Sequence, residues 1–220
     1  MKNKTKYRYI ILLILIFPIF LRIEFLFNNN FYFTVMENSL FTSMLMWFFM
    51  VLCIYYFKLK EIYIFFGSVQ VSHIRNRFIE HNLSVRHCIW EKTNPSPMNG
   101  EHMWLSSIEN CVFAKKSGAY FDIKERCKSS VWKCSTEKFK GHPTPKPIEL
   151  MERLIQASSK PEDIILDPCM GSGAVGIAAK RTRRNFIGVE LDKKYYNITQ
   201  DRINKAVSGI GEKKDITSFL

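Results

Sequence analysis

Residues 164–192 read IILDPCMGSGAVGIAAKRTRRNFIGVELD, and they decide the fold. The apolar run 164–166 predicts a strand, residues 173–182 a helix, and residues 185–189 a second strand. Gly171, Gly173 and Gly176 form G-x-G-x-x-G between the first strand and the helix. Glycine lets the backbone turn tightly and approach a ligand closely, and the helix after it presents free N–H groups to that ligand. Glu190 ends the next strand, 19 residues after Gly171. A carboxylate there can accept from both hydroxyls of a ribose. Strand, helix, strand and acid in register predict a bound ligand.

Asp167 narrows the ligand. In a dinucleotide fold the pyrophosphate approaches the first glycine straight from the strand. Here Asp167-Pro168-Cys169-Met170 intervenes. A carboxylate at that point repels a pyrophosphate and suits a positive group such as an α-ammonium. A nucleoside carrying an amino acid satisfies both Asp167 and Glu190, which describes S-adenosylmethionine.

Working outward, Pro147 opens a helix to about residue 157, with Ile148, Met151, Leu154 and Ile155 on one face. Residues 193–207 read as another helix. Upstream, 61–66 (EIYIFF) is a buried strand and 70–83 is helical, with Val71, Ile74, Phe78 and Leu83 at near-helical spacing. Residues 86–90 and 110–114 are strand candidates, and 94–100 (NPSPMNG) is a loop. Residues 117–141 are polar, basic and weakly periodic. This density of alternating strands and helices predicts an α/β fold with parallel pairing and right-handed crossovers.

The whole chain has 220 residues, 47% hydrophobic and 24% charged, which excludes a disordered tail. Its net charge of +12 favours an anionic partner, nucleic acid or an acidic membrane surface. The six cysteines make no C-x-x-C pair. That argues against a zinc site and for reduced thiols.

Residues 1–60 differ in composition and read as a hydrophobic N-terminal segment. Lys2, Lys4, Lys6 and Arg8 precede the apolar run 9–21, which is signal-peptide-like but has no small-residue cleavage site after it. Extended to residue 27, the run contains Pro18, Arg22 and Glu24. The run 40–57 is 18 residues without a charge, just long enough to cross a bilayer, with Lys58 and Lys60 at its end. The segment is either one or two transmembrane helices or sequence rich in Phe and Ile for reasons unrelated to lipid. A shifted reading frame in an AT-rich gene would also yield the latter.

Residues 61–205 resemble the N6-adenine and N4-cytosine DNA methyltransferases. The family's segment before the cofactor helix is here His142-Pro143-Thr144-Pro145-Lys146-Pro147. Its cofactor loop is Asp167-Pro168-Cys169-Met170-Gly171-Ser172-Gly173, and its next strand Phe186-Ile187-Gly188-Val189-Glu190. The stretch from Ile89-Trp90-Glu91-Lys92-Thr93-Asn94-Pro95 through Trp104, Glu109 and Ala114-Lys115-Lys116 resembles phage and prophage members. The order, with the cofactor segment last, implies the circularly permuted subgroup. The resemblance implies a Rossmann-like S-adenosylmethionine-dependent methyltransferase fold over 61–220, with a cofactor-binding half at 142–205. It places Thr144 and Lys146 near the methionine carboxylate. Asp167, Pro168, Met170, Gly171 and Gly173 would lie around the methionine end, and Glu190 would hold the ribose. Cys169 reads as a small buried hydrophobe.

The family's chemistry uses an Asp/Asn/Ser-Pro-Pro-aromatic tetrapeptide, whose polar groups accept from the target amine and whose ring stacks on the flipped base. In the permuted order it belongs within residues 1–60, yet the chain has no Pro-Pro dipeptide. The nearest look-alike is Asn94-Pro95-Ser96-Pro97, with Asn94 the one candidate acceptor. The family's sheet also needs a strand between 61–66 and 164–167. Either part of 46–56 fills that place or the sheet is split. Double-stranded DNA would fall to the basic target-recognition-like segment 115–146, through Lys115, Lys116, Lys124, Arg126, Lys128 and Trp132.

These readings predict a methyltransferase of restriction–modification type acting on an exocyclic amino group of DNA, adenine favoured, as a truncated or inactive remnant. The alternative is a membrane-tethered module that binds cofactor or DNA without catalysis. The corresponding locations are the cytoplasm, or a membrane with residues 61–220 on the cytoplasmic side.

Overall fold

Apolar residues alternate along the middle strands and supply two buried faces to one sheet. The computed structural model describes residues 9–14, 60–97, 102–122, 124, 128–139, 141–142 and 144–207. Their strands are β1 (Tyr9–Ile14), β2 (Glu61–Phe66), β3 (Ser84–Lys92), β4 (Ile108–Lys115), β5 (Val131–Cys134), β6 (Ile164–Asp167) and β7 (Asn185–Gly188). Their order across the sheet is β5-β3-β4-β2-β1-β6-β7. The helices are α1 (Val71–Glu80), α2 (Ile148–Ser158), α3 (Ala174–Arg181) and α4 (Lys193–Lys205).

Tyr63 and Phe65 of β2, with Phe113 of β4 and Trp90 of β3, face a core completed by Leu150, Met151, Leu154 and Ile155 of α2 and by Val175 and Ala178 of α3. Ile62 and Ile64 face the other way, onto Phe78 of α1, Leu83, Val112 and Ala114. Each fully buried aromatic or aliphatic side chain contributes about 1.5–3 kcal/mol, so both layers carry stability. The result is helix, sheet, helix in three layers.

Three expectations change. The first concerns residues 9–21. Tyr9–Ile14 is the central strand, parallel to β2 (Ile10 opposite Glu61 to Ile14 opposite Phe65) and to β6 (Tyr9 opposite Ile164 to Ile11 opposite Leu166). A strand in the middle of a parallel sheet is covered on both faces and so reads as a continuous apolar run, as a membrane segment does. β1 therefore occupies the place for which 46–56 was the candidate, and the sheet is not split. No helix among the described residues is long and apolar enough to cross a membrane. The candidate span 40–57 and residues 46–56 lie outside the described residues.

The second change is in direction. β4 pairs antiparallel with both β2 and β3, whereas the other pairings are parallel. The described residues of the link from β3 to β4 form no helix, and the chain reverses between the two strands. The third change is β5, inside the stretch 117–141 that carries no clear periodicity. Its four residues alternate exposed and buried, which places Trp132 and Cys134 inward.

Candidate functional site

Six of the seven strands run the same way, so the C-terminal ends of β1, β6 and β7 share one edge. Chain order also reverses there: β1 leads to β2 on one side and β6 to β7 on the other. Ligands of open α/β sheets bind at such a switch point, outside the carboxyl ends of the strands. The glycine loop stands at this edge. The Met170 N–H donates to Val189 O at 3.0 Å, and the Val189 N–H donates to Asp167 O at 2.9 Å, which ties the loop across the ends of β6 and β7. The Gly173 N–H donates to Met170 O at 2.7 Å.

Two glycines are required by conformation. Gly171 has φ +46° and Gly173 has φ +79°, where a side chain is strained. A Cβ on Gly173 would also lie 2.6 Å from Thr199 Cγ2. Gly176 serves packing instead, because its Cβ would strike Ile203 of α4 and Phe186 of β7.

Asp167 ends β6 with its side chain fully buried. Its Oδ1 accepts from the Cys169 N–H at 3.0 Å, while Oδ2 has no hydrogen-bond partner among the described residues. Burial pushes its carboxyl up to about 8, the Cys169 amide opposes that rise, and the nearby Glu190 adds to it. A buried acceptor of this kind is costly until a donor arrives. Glu190 is half-buried, and each oxygen accepts a backbone N–H: Oε2 from Gly171 and Oε1 from Asp192, both at 2.9 Å. A carboxylate oxygen has more than one lone pair, so these bonds orient Glu190 without exhausting it. Burial, with Asp167 and Glu190 beside it, raises the Cys169 thiol to about 12. That thiol stays protonated and unreactive. Met170 is buried, and Pro168 forms the turn after β6.

The segment before α2 reaches the same loop. His142 is buried against Tyr195 of α4, with ring centroids 4.8 Å apart, and its Nδ1 accepts from the Thr144 N–H at 3.2 Å. Burial holds its pKa below the ordinary value, so the ring is neutral. A Cβ on Gly171 would lie 3.1 Å from its Nε2. Thr144 is exposed. Lys146 is 7% exposed and ion-pairs with Glu109 at 2.5 Å, its ammonium 5.7 Å from the ring centroids of Phe65 and Trp90. Glu109 also binds Lys92 at 3.1 Å. Burial works against its charge, but the two lysines outweigh that and hold its carboxyl below the usual range.

The candidates for DNA contact are not gathered at this edge. β4 runs against its neighbours, so Lys115 lies opposite Glu61 and Ser84, at the N-terminal ends of β2 and β3. Lys115 and Lys116 therefore sit at the far edge from Asp167. Lys124 is exposed and comes after Asp122, whose N–H donates to Ala157 O at the end of α2. Lys128 is exposed; Arg126 lies outside the described residues. Trp132, at 7% exposure, is a core residue 6.5 Å from Tyr63 and is not available to stack on a base. The alternation of β5 turns it inward.

Asn94 is also elsewhere. Its Oδ1 accepts from the Thr136 N–H at 2.6 Å and the Thr136 hydroxyl at 3.0 Å, so it clamps the chain leaving β5. It comes just after β3, four strand spacings from β6, about 19 Å. Sequence reasoning missed Arg202 and Glu137. They carry no motif, and their roles come from contacts over long separations.

A glycine loop and two acids at the switch point of a parallel-rich sheet define a Rossmann-like α/β protein. The chain belongs to the N6/N4 DNA methylase family, whose profile matches residues 13–201. It is 40% identical over 135 residues to the type II methyltransferase M2.LlaDCHI of Lactococcus lactis subsp. cremoris, covering 54% of this chain and 50% of that protein. To M.HinfI, a type II methyltransferase of Haemophilus influenzae, it is 35% identical over 162 residues, 63% of this chain and 45% of that one. The chain spans about half the length of the curated relatives it matches. Among solved structures, the crystal structure of the M1.HpyAVI–SAM complex superposes with a TM-score of 0.65 at 26% identity, covering 90% of this chain and 89% of that one.

Proposed function

We propose that this chain holds S-adenosylmethionine at the carboxyl edge of β6 and β7, as a DNA methyltransferase of restriction–modification type acting on adenine N6 or cytosine N4. In this reading its transfer step is lost or very weak. The single observation that carries the cofactor assignment is Asp167: a fully buried carboxylate with an unpartnered Oδ2 beside the glycine loop. It fits an α-ammonium. The free lone pairs of Glu190 fit ribose hydroxyls, and the glycines at positive φ leave room for the ligand's approach. Bound there, S-adenosylmethionine supplies an electrophilic methyl group.

Loss of transfer is supported by the residues just past β1. The family's tetrapeptide belongs after the strand between β2 and β6, and β1 is that strand. The sequence after it is Leu15-Ile16-Phe17-Pro18, with no polar acceptor and no paired prolines. An exocyclic amine is a poor nucleophile, because its lone pair is conjugated with the ring. Acceptors that localise that lone pair and hold the base lower the barrier by roughly several kcal/mol.

Calorimetric titration of the full chain with S-adenosylmethionine tests the cofactor reading. Glu190→Ala should weaken binding by about 1.5–3 kcal/mol, since a charged acceptor of hydrogen bonds is removed. Unchanged affinity would sink the ribose assignment, and no binding by the unmodified chain would sink the cofactor site itself.

A further inference from the structure

Arg202 of α4 joins three segments that are far apart in sequence. Its Nη1 donates to Ser172 O at 2.6 Å, inside the glycine loop. Its Nη2 donates to Glu137 Oε1 at 2.8 Å, on the connector between β5 and α2. Its guanidinium carbon lies 4.1 Å from the centroid of the Phe139 ring. The other oxygen of Glu137 accepts the Ile148 N–H at 3.3 Å, at the first turn of α2. One turn before Arg202, the Thr199 hydroxyl donates to Gly171 O at 2.5 Å. The two carbonyls that flank the loop's turn, Gly171 and Ser172, are thus both held by α4. The Arg202 side chain is only 15% exposed, so these bonds work in a partly desolvated setting.

We propose that Arg202 is a positioning residue for the glycine loop, anchored by Glu137. A guanidinium is planar and presents its donors in a fixed fork. With Glu137 on one prong and Phe139 under its face, the other prong fixes the direction of the Ser172 carbonyl. The Ser172–Gly173 peptide plane, and with it the Gly173 N–H at the start of α3, then has one orientation. A loop held this way meets its ligand without first losing conformational freedom, and that saving appears as affinity. Lysine, with a single ammonium, can reach one partner but cannot reproduce the fork.

The affinity effect rests on the S-adenosylmethionine reading above, whereas the loop geometry does not, so two measurements on the full chain separate them. The first is amide hydrogen exchange without ligand. Arg202→Ala should speed exchange at Gly173 by tenfold or more while leaving Ile165 and Leu166 unchanged; Arg202→Lys should fall between. As a control, Arg181→Ala breaks the Arg181–Glu152 ion pair at 3.3 Å, remote from the loop. It should leave Gly173 unaltered. The second measurement is S-adenosylmethionine affinity, expected to fall about tenfold or more in Arg202→Ala. Arg202→Lys should recover part of it, Glu137→Gln should lose less than Arg202→Ala, and Arg181→Ala should stay within twofold. Unchanged exchange at Gly173 in a folded Arg202→Ala protein overturns the proposal whatever the ligand. So does equal weakening by Arg181→Ala, which would make the effect one of general stability. If exchange responds as expected but the unmodified chain does not bind S-adenosylmethionine, the positioning role stands and the cofactor assignment falls.

Discussion

Asp167 is the residue whose environment most constrains what the site can hold. Burial has raised its carboxyl to about 8 in the folded protein, above the ordinary carboxylate range in the unfolded chain. The folded state therefore binds the extra proton, and this group's contribution to stability is lost as pH rises from about 4 to about 8. An ammonium beside the carboxylate reverses the preference and favours the ionised form. Binding of S-adenosylmethionine near pH 7 should therefore release up to about one proton, and affinity should rise with pH until about 8. Calorimetry at pH 7 in buffers of different ionisation heat measures that release directly. Proton uptake, or no exchange, would mean that no cation meets Asp167. Asp167→Asn removes the linkage and should make apo stability flatter between pH 6 and 8.

At the scale of elements, direction and register decide which residues meet. Leu12→Pro tests β1. Both neighbours of β1 are hydrogen-bonded strands, so a proline there deletes a ladder bond and should prevent folding of the sheet. A membrane helix would tolerate the same proline far better, so a folded Leu12→Pro protein would restore the membrane reading. Trp132→Ala should cost about 3–5 kcal/mol of stability, as for a buried aromatic, measured by denaturant unfolding. For DNA, Lys115→Gln with Lys116→Gln should leave the salt dependence of binding unaltered, since both sit at the edge away from the loop. A slope lower by about two would put them on phosphates. The contiguous parts of this architecture were legible in the sequence. The β6–α3–β7 unit was, because glycines, apolar runs and Glu190 fall within 29 residues of chain. α2 was legible too, although Pro147 stands just before its first turn. The central strand was not, because a central strand of a parallel sheet and a lipid-facing run share one composition. The lysine face was not, because the reversal of β4 is a pairing fact that no local pattern encodes. Lys146 with Glu109, and Arg202 with Glu137, are likewise contacts over 37 and 65 residues.

At the scale of the whole molecule, the loop, Asp167, Glu190 and the α4 clamp line one edge of a sheet completed by β1. The sequence directly after β1 supplies no side-chain acceptor for a target amine and no paired prolines. The proposed function separates binding from transfer, and one incubation tests both. The full chain is mixed with S-adenosylmethionine carrying a tritiated methyl group and with mixed-sequence duplex DNA. Label is then counted in protein-bound cofactor and in purified DNA, beside an Asp167→Ala control. The expected result is label held non-covalently by the protein, lost in the control, with DNA at background. Robust label in DNA from the unmodified chain, abolished by Asp167→Ala, would contradict it.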